Sequence, residues 1–335
     1  MGFDENVKYS FKNHLYKTRQ SDAYMKIVFL GTGGSYPSPK RNVPAIAVKY
    51  QSEVILFDCG EGTQRQFMRS SISFMDIKRI FVTHFHGDHF LGLPGLIQSM
   101  NLNDREEELE IYGPTGNKRI CKQLVRLGYF RPNFPVKVFD INPGAKLKFH
   151  GYSVESVSSD HNVPSLAFAL KEEDKKGRFD REKAIELGVP VGPSFSRLHE
   201  GHDVEVHGKV VKPDQVVGPP RRGKMMVYSG DTRPCSDICK LAENADVLIH
   251  DATLESKMSD IAIERGHSSV RHAAEIAERA GVDKLFLFHM SPRYDSVDGL
   301  KREAREIFKM TTIPQDLFEY EIKYAKMIKG MNITI

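Results

Sequence analysis

Short apolar runs that end in glycine or a polar residue recur along the chain, and amphipathic stretches follow several of them. The first three such runs are "KIVFLGTGGS", "EVILFDCGEG" and "RIFVTHFHGDH", with helices predicted to begin near Thr63 and about Leu91. Three later runs are "KMMVYSGDT", "DVLIHDAT" and "KLFLFHMS", and the helix "SVRHAAEIAERAG" is predicted to end at Gly281. Strands alternating with helices in both halves predict an α/β fold of mixed layers.

One section departs from this pattern. Residues 172–223 are charged, punctuated by glycine and proline, and poor in long apolar runs. They predict an excursion or small subdomain inserted between two core strands, and such long insertions are often functional. Residues 1–24 are polar and predict an N-terminal extension, so the folded domain is expected to occupy 25–335.

Composition narrows the function classes only slightly. The chain has 335 residues, 40% hydrophobic and 27% charged, which is ordinary for a globular protein. The net charge of +4 permits a polyanionic partner without requiring one. The 4 cysteines form no C-x-x-C pair, which favours the reducing cytoplasm. Cys235 and Cys239 could share a zinc ion or be free thiols. No apolar run is long enough to predict a membrane span.

The run "THFHGDH" carries the strongest chemical signal. His84, His86, Asp88 and His89 are predicted to lie in a loop that follows a strand. Alternating His84 and His86 can converge on one ion, and the turn at Gly87 can direct the next two side chains to a second. Imidazole and carboxylate are zinc ligands. The alternative is a hydrogen-bonded polar loop without metal.

Three further candidate ligands end apolar strands elsewhere in the chain. They are His161 in "SSDHNVPS", Asp231 in "VYSGDTRP" and His289 in "LFLFHMSPRY". Each alone would be typical of a structural residue, but their shared placement indicates a common site. A carboxylate between two cations can bridge them, and that role is assigned to Asp231.

These residues resemble the H-x-H-x-D-H motif of the metallo-β-lactamase superfamily. The resemblance implies a four-layer αββα sandwich that holds two zinc ions per subunit. It implies that the first zinc is bound by His84, His86, His161 and Asp231. It implies that the second is bound by Asp88, His89, Asp231 and His289.

The longer run "THFHGDHFLGLPGL" is similar to the ribonuclease Z family of tRNA 3′-processing endonucleases, as are "FLGTGGS", "FDCGEGTQRQ", "YSGDTRPC" and "FHMSPRY". The likeness extends from Met25 to about Phe308. "HDAT" resembles the family's HEAT motif, with Asp251 in place of glutamate, and "GHSS" its HST loop. The resemblance implies a cytoplasmic homodimer that cuts precursor tRNA 3′ to the discriminator, leaving a tRNA 3′-hydroxyl and a trailer 5′-phosphate.

The hypothesis assigns catalytic roles to Asp88 and His267. Asp88 would accept the proton of the attacking water, and His267 would protonate the leaving oxygen or hold the phosphate. The alternative for His267 is a structural histidine beside a helix. Resemblance also assigns substrate binding to Lys40, Arg41 and Asn42 in "PSPKRN", to Arg293, and to an arm tip comprising Gly188, Pro190, Gly192 and Pro193.

Some alternatives stay open at the level of sequence. The family loop reads P-x-K-x-R-N, but Pro39 occupies the lysine position here, so discrimination against CCA ends is undetermined. The charged arm could be an ordinary solvated face, and His199, His202 and His207 are interpreted as surface residues. Rival functions are a small-molecule phosphodiesterase or arylsulfatase of the same superfamily, and an RNA-binding protein that has lost its metal.

Overall fold

The structure, a computed structural model, describes residues 25–323, so the extension predicted at 1–24 lies outside the described residues. Strands β1 to β16 are, in order, Met25–Gly31, Ala45–Tyr50, Glu53–Phe57, Ile77–Phe81, Leu109–Gly113, Val136–Asp140, Lys146–Phe149, Tyr152–Ser158, Leu166–Glu172, Val204–Val206, Lys209–Val211, Met225–Tyr228, Val247–Asp251, Leu285–Phe288, Thr311–Thr312 and Phe318–Ile322. Helices α1 to α10 are Thr63–Arg69, Gly87–Phe90, Leu93–Leu102, Asn117–Leu124, Arg181–Glu186, Pro193–Glu200, Ser236–Leu241, Ser259–Glu264, Val270–Ala280 and Asp298–Ile307.

Two seven-stranded sheets pack face to face within the described part of the chain. Their orders are β16-β1-β2-β3-β4-β5-β6 and β15-β14-β13-β12-β9-β8-β7. Large aromatic side chains fill the space between the sheets, and the rings of Phe29 and Phe286 approach to 4.9 Å between centroids. Because aromatic rings bury large apolar areas, this shared core binds the two halves of the chain together.

Helices cover the outer face of each sheet. Helices α1, α3 and α4 pack on the first sheet, and α7, α9 and α10 pack on the second. Helix α9 ends at Gly281, whose φ of 62° lies in the left-handed region, as the sequence predicted. The predicted four-layer αββα sandwich is therefore confirmed.

Parallel strands bring the chemistry-bearing loops to one edge. Strands β3 to β6 run parallel in the first sheet, as do β12 to β14 in the second. Strand β8 shares the direction of β12 because each is antiparallel to β9. The predicted ligands lie in the segments that follow β4, β8, β12 and β14. Within each sheet these strands share a direction with their parallel neighbours, so the segments emerge at the same edge.

Local structure after β4 differs from the prediction. Asp88 and His89 were expected in a loop, but they lie in the short helix α2, and the following helix begins at Leu93 rather than about Leu91. Gly92 lies between the two helices. A Cβ there would collide with the backbone of Gly60, so this close approach requires glycine. The helical turn at α2 brings the His89 ring to 4.1 Å from the His84 ring between centroids.

The inserted segment is a compact unit between β9 and β12. It contains α5, α6 and the hairpin β10–β11. Buried apolar residues give it a core of its own, which comprises Ala184, Val189, Leu198, Val204, Val206, Val211 and Val216. Backbone bridges Lys175–Arg221 and Phe179–Val217 join its two ends near the sheet.

In the described part of the chain, no helix combines the length and apolar character needed to cross a bilayer. All four cysteines are free thiols, and Cys235 caps α7 while Cys239 lies within it.

Candidate metal centre

The first ligand group comprises His84, His86, His161 and Asp231. Their candidate ligand atoms all lie within 4.8 Å of one another. His84 and His86 alternate along the extended chain after β4, so both rings reach the same side. The Nε2 atom of His161 lies 3.1 Å from Nδ1 of His86. Three imidazoles and one carboxylate make a zinc-type donor set.

The second group comprises Asp88, His89 and His289. Nε2 of His289 lies 3.3 Å from Oδ2 of Asp88, and Nε2 of His89 lies 3.7 Å from the same oxygen. Asp231 reaches this group too, with its Oδ1 3.3 Å from His89 Nε2 and its Oδ2 3.3 Å from His289 Nε2. Asp231 thus lies between the groups, and the structure brings all the sequence-predicted ligands together.

Unsatisfied buried atoms at this centre fit metal ions. His84 Nε2, His89 Nε2 and Asp231 Oδ1 are buried and have no hydrogen-bond partner in the described residues. Buried polar atoms normally have partners, and a lone pair aimed at a shared point is what a cation needs. These side chains would hold two ions, the first within the His84 group and the second within the Asp88 group.

Protonation is consistent with the same role. Burial lowers the pKa of His84 well below its usual value, so this imidazole is neutral and able to ligate. Burial also acts to lower the pKa of His89, but the Asp231 and Asp58 carboxylates outweigh it and raise that pKa well above the usual value. A bound cation would replace the proton of His89, because metal ions compete with protons for ligand lone pairs.

Asp58 orients the second group, a role that the sequence analysis missed. Its Oδ2 lies 2.7 Å from Nδ1 of His89 and accepts a hydrogen bond from the Tyr228 hydroxyl at 2.8 Å. The backbone N–H of Thr83 donates to Oδ1 at 2.7 Å. This arrangement directs Nε2 of His89 to the centre, as outer partners of metal-binding histidines do. The available signal was an aspartate ending the buried strand in "EVILFDCGEG".

Close backbone approach fixes His289. The Thr253 hydroxyl lies 2.8 Å from its Nδ1, which leaves Nε2 for the centre. A Cβ on Gly34 would collide with the His289 ring, so this position requires glycine. The neighbouring Ser35 N–H donates to Asp88 Oδ2 at 2.8 Å. The glycine loop after β1 therefore shapes the second group.

His267 stands beside both groups. Its ring lies parallel to that of His289, 5.1 Å away between centroids. Its Nδ1 is 2.9 Å from Oδ2 of Asp251, a buried carboxylate that also accepts from Thr232 N–H and the Thr253 hydroxyl. Burial lowers the pKa of His267, but Asp251 more than offsets this and raises the pKa to about 9. The imidazolium is thus available at neutral pH to donate a proton or a hydrogen bond.

Arg233 joins the loop around His161 to helix α8, a role that the sequence analysis did not identify. Its guanidinium donates to Asp160 Oδ1 at 3.1 Å, to Asn162 Oδ1 at 2.7 Å and to the Ile263 carbonyl at 2.7 Å. His161 Nδ1 lies 2.7 Å from the Gly266 carbonyl, directly before His267. We call the Arg233 contacts the Arg233 clamp. Together with the contact between His161 and Gly266, they link the His161 loop to the His267 loop.

The predicted substrate loop lies at a cleft of about 980 Å³ that also includes Arg65 and Tyr294. Lys40 is exposed and bridges to Asp295, with 2.9 Å between its Nζ and the Asp295 carbonyl oxygen.

Two of the predicted substrate residues make bonds within the protein. Arg41 donates from Nη1 to the Thr32 hydroxyl and the Pro314 carbonyl, each at 2.6 Å. The Asn42 N–H donates to Asp316 at 2.6 Å. The guanidinium of Arg41 is thus engaged in holding the loop.

The remaining predicted substrate residues are placed elsewhere. Arg293 is exposed and contacts the Met258 sulfur at 3.2 Å, and it does not line the cleft. Gly188, Pro190, Gly192 and Pro193 lie in the inserted segment, exposed, with φ of 80° at Gly188 and 134° at Gly192. Val189 between them is buried in the core of that segment. His199, His202 and His207 are exposed, as expected.

Comparison with known proteins places this centre in a family. The model of the anti-Pycsar protein Apyc1 matches residues 25–173, and that of the beta-lactamase superfamily domain matches residues 196–290. Ribonuclease Z of Methanosarcina acetivorans is 45% identical over 301 residues, which is 90% of this chain and 99% of the relative. Ribonuclease Z of Methanothermobacter thermautotrophicus is 46% identical over 299 residues, which is 89% of this chain and 97% of the relative.

A solved structure agrees with these relatives. The crystal structure of human tRNase Z, short form, superimposes with a TM-score of 0.65 at 28% sequence identity, covering 89% of this chain and 100% of the human chain. Identity above two fifths over nearly the whole length of curated relatives, with the ligand groups in place, confirms the resemblance read from the motifs. The chain belongs to the ribonuclease Z family of the beta-lactamase superfamily.

Proposed function

We propose that the protein is a zinc-dependent endoribonuclease that removes the 3′ trailer of precursor tRNA by hydrolysis 3′ to the discriminator. The products would be a tRNA with a 3′-hydroxyl and a trailer with a 5′-phosphate. The observation that carries the proposal is the pair of ligand groups that share Asp231. Family membership supports the choice of RNA substrate.

The protein's own side chains would divide the proton transfers. When bound, two zinc ions supply Lewis acidity that lowers the pKa of water and offsets phosphoryl charge. Burial raises the pKa of Asp88, but the hydrogen bond with His289 outweighs it and keeps the pKa low, so Asp88 is ionised at neutral pH, the form in which it would take the proton of the attacking water. His267, held by Asp251, would donate a proton to the leaving ribose oxygen.

We propose that the binding partners and the cellular location are those that the family resemblance implies. We infer a homodimer in the cytoplasm, with precursor tRNA engaged by the inserted segment as well as by the cleft around Lys40. The free cysteines are in keeping with a reducing compartment.

The direct test is cleavage of a precursor tRNA. The purified protein is expected to release the trailer, to lose this activity after treatment with a chelator, and to regain it when zinc is added. End-group analysis should show a 3′-hydroxyl on the tRNA and a 5′-phosphate on the trailer. Activity that persists without metal, or turnover of small diesters without any cleavage of precursor tRNA, would contradict the proposal.

A second prediction concerns the exposed tip of the inserted segment. Deleting residues 190–193 while keeping the buried Val189 should weaken precursor tRNA binding about 10-fold, because it removes contacts far from the metal ligands. Hydrolysis of bis(p-nitrophenyl) phosphate should be unchanged. The matched control is Ile185→Ala, since Ile185 is exposed on α5 of the same segment. Equal losses on both substrates would exclude a binding role for the tip.

A third prediction concerns the Arg233 clamp. Arg233→Gln should lower zinc affinity about 10-fold, because Arg233 bonds to Asp160 and Asn162 on either side of His161, and outer contacts that orient a ligand tune metal affinity by about this factor. Zinc affinity can be measured by competition with a chromophoric chelator. Arg279→Gln is the control, because Arg279 is exposed in the last turn of α9. A thermal shift without any change in zinc affinity would show that the clamp serves stability alone.

A further inference from the structure

A long stretch of the first sheet's helical layer is free of negative charge. Between Glu110 and Asp140 the sequence contains six basic residues and no aspartate or glutamate. This is unusual here, because the whole chain has 48 lysines and arginines against 44 acidic residues. The stretch includes α4 and the loop that follows it.

Helix α4 turns its basic side chains outward. Cys121 and the following Val125 pack into the core beneath the helix. Exposed positions on and just after the helix are occupied by Lys118, Arg119, Lys122 and Arg126. Spacing of four residues places Lys118 and Lys122 in one row on α4, and Arg126 follows in the turn after the helix. We call these four residues, together with Tyr129, the basic ridge.

Within the described residues the ridge side chains form no ion pairs, and the nearby Asp140 carboxylate instead accepts from the Lys118 backbone N–H at 2.7 Å. Neighbouring Lys137, by contrast, pairs with Glu108 at 2.8 Å, and Arg79 pairs with Glu53 at 3.0 Å. Unneutralised like charges in a row repel one another and attract a polyanion.

The ridge begins at the edge that carries the metal ligands. Strand β5 pairs in parallel with β4, and Val82 N–H donates to the Tyr112 carbonyl at 2.8 Å just before His84. Asn117 fixes the start of α4 by donating to the carbonyls of Ile111 and Phe139. From there the helix leads away from the centre.

At its far end the ridge presents an aromatic ring. Tyr129 is fully exposed, at 109% of its reference area, and Leu127 beside it is 57% exposed. An exposed tyrosine beside several cations is a combination that suits single-stranded RNA, because unpaired bases stack on aromatic rings while phosphates contact the cations. Bases inside a duplex stem are already stacked and cannot use such a ring.

We propose that the basic ridge binds the single-stranded 3′ trailer of the substrate as it leaves the cleavage site. The proposal rests on the proposed function for the identity of the RNA. Phosphates of the trailer lie along Lys118, Lys122 and Arg126, and an unpaired base stacks on Tyr129. Precursors with long trailers therefore gain affinity that precursors with very short trailers do not.

The test compares precursor tRNAs with a two-nucleotide trailer and with a trailer of about 20 nucleotides. The triple variant Lys118→Gln/Lys122→Gln/Arg126→Gln should bind the long precursor about 10-fold more weakly, with its salt-dependence slope lower by about 2, and the short one within about 2-fold of wild type. Tyr129→Ala should weaken the long precursor by about 5-fold or more. The control Lys301→Gln/Arg302→Gln/Lys309→Gln removes equal charge from the opposite helical layer, where Glu303 and Glu306 are interspersed.

Three results would overturn the ridge assignment, and the first two are unchanged binding of the long precursor and equal weakening of both precursors, which would place the acceptor stem there instead. Equal weakening by the control triple would reduce the effect to net charge and would also overturn it. Binding of the isolated trailer RNA, measured by fluorescence anisotropy, needs no catalysis. If the wild type fails to cut the short precursor, the proposed function is contradicted. The ridge assignment is then decided separately by the anisotropy measurement.

Discussion

The Asp231→Ala variant is expected to lose trailer removal, with kcat lower by about 10³-fold or more, because the metal centre supplies several kcal/mol of transition-state stabilisation. Asp231 is the residue placed to serve both ligand groups: its Oδ2 lies 3.8 Å from His84 Nε2 in the first group, and its Oδ1 lies 3.3 Å from His89 Nε2 in the second. Its loss would remove a candidate metal ligand from both groups at once. We expect His84→Ala to be less damaging to the second group than Asp231→Ala.

The measurement pairs kinetics with metal analysis. Zinc content of Asp231→Ala should fall below that of wild type, while binding of precursor tRNA is retained. Asp237→Ala is the control, because Asp237 is an exposed carboxylate on the neighbouring helix α7 and should leave both quantities unchanged. Wild-type zinc content together with wild-type kcat in Asp231→Ala would remove the basis for a shared carboxylate.

The ligand set could be predicted from sequence because its signals are local. His84, His161, Asp231 and His289 each follow closely on an apolar strand, and parallel strands bring such ends to one edge of a sheet. The short helix α2 was not predicted, since four residues of helix leave no periodicity to detect. The fold class followed from the same alternation of strands and helices, with the order of strands left to the resemblance.

Contacts between distant segments could not be predicted in this way. Asp58 is 31 residues from His89 in sequence, and its role depends on how β3 and β4 pair. Arg233 meets Asn162 across 71 residues. Arg41 was predicted to bind substrate, but its guanidinium donates hydrogen bonds within the protein, to Thr32 and Pro314. Sequence pattern gives residue type and position, but the direction of a long polar side chain depends on the assembled tertiary structure.

His267→Ala is expected to lower kcat for precursor tRNA about 10²-fold, the usual contribution of a general acid. KM and zinc content should change little. The physical reason is the contact with Asp251, 2.9 Å from Nδ1, which holds the ring beside His289 and keeps it protonated at neutral pH. Bis(p-nitrophenyl) phosphate separates the roles, because its p-nitrophenolate leaving group needs no proton. The loss of kcat that His267→Ala causes on that substrate should stay below about 5-fold.

Asp251 supplies the control for this prediction. Asp251→Ala should repeat much of the loss, and the double variant His267→Ala/Asp251→Ala should lose little more than either single one, because the two groups act as a unit. Asp251→Glu keeps a carboxylate for His267 Nδ1 and should recover part of the activity. Since His267 also lies within ligand reach of Asp231 and His289, a fall in zinc content would identify it as a metal ligand. Equal losses on RNA and on the activated diester would likewise exclude proton donation to the leaving oxygen.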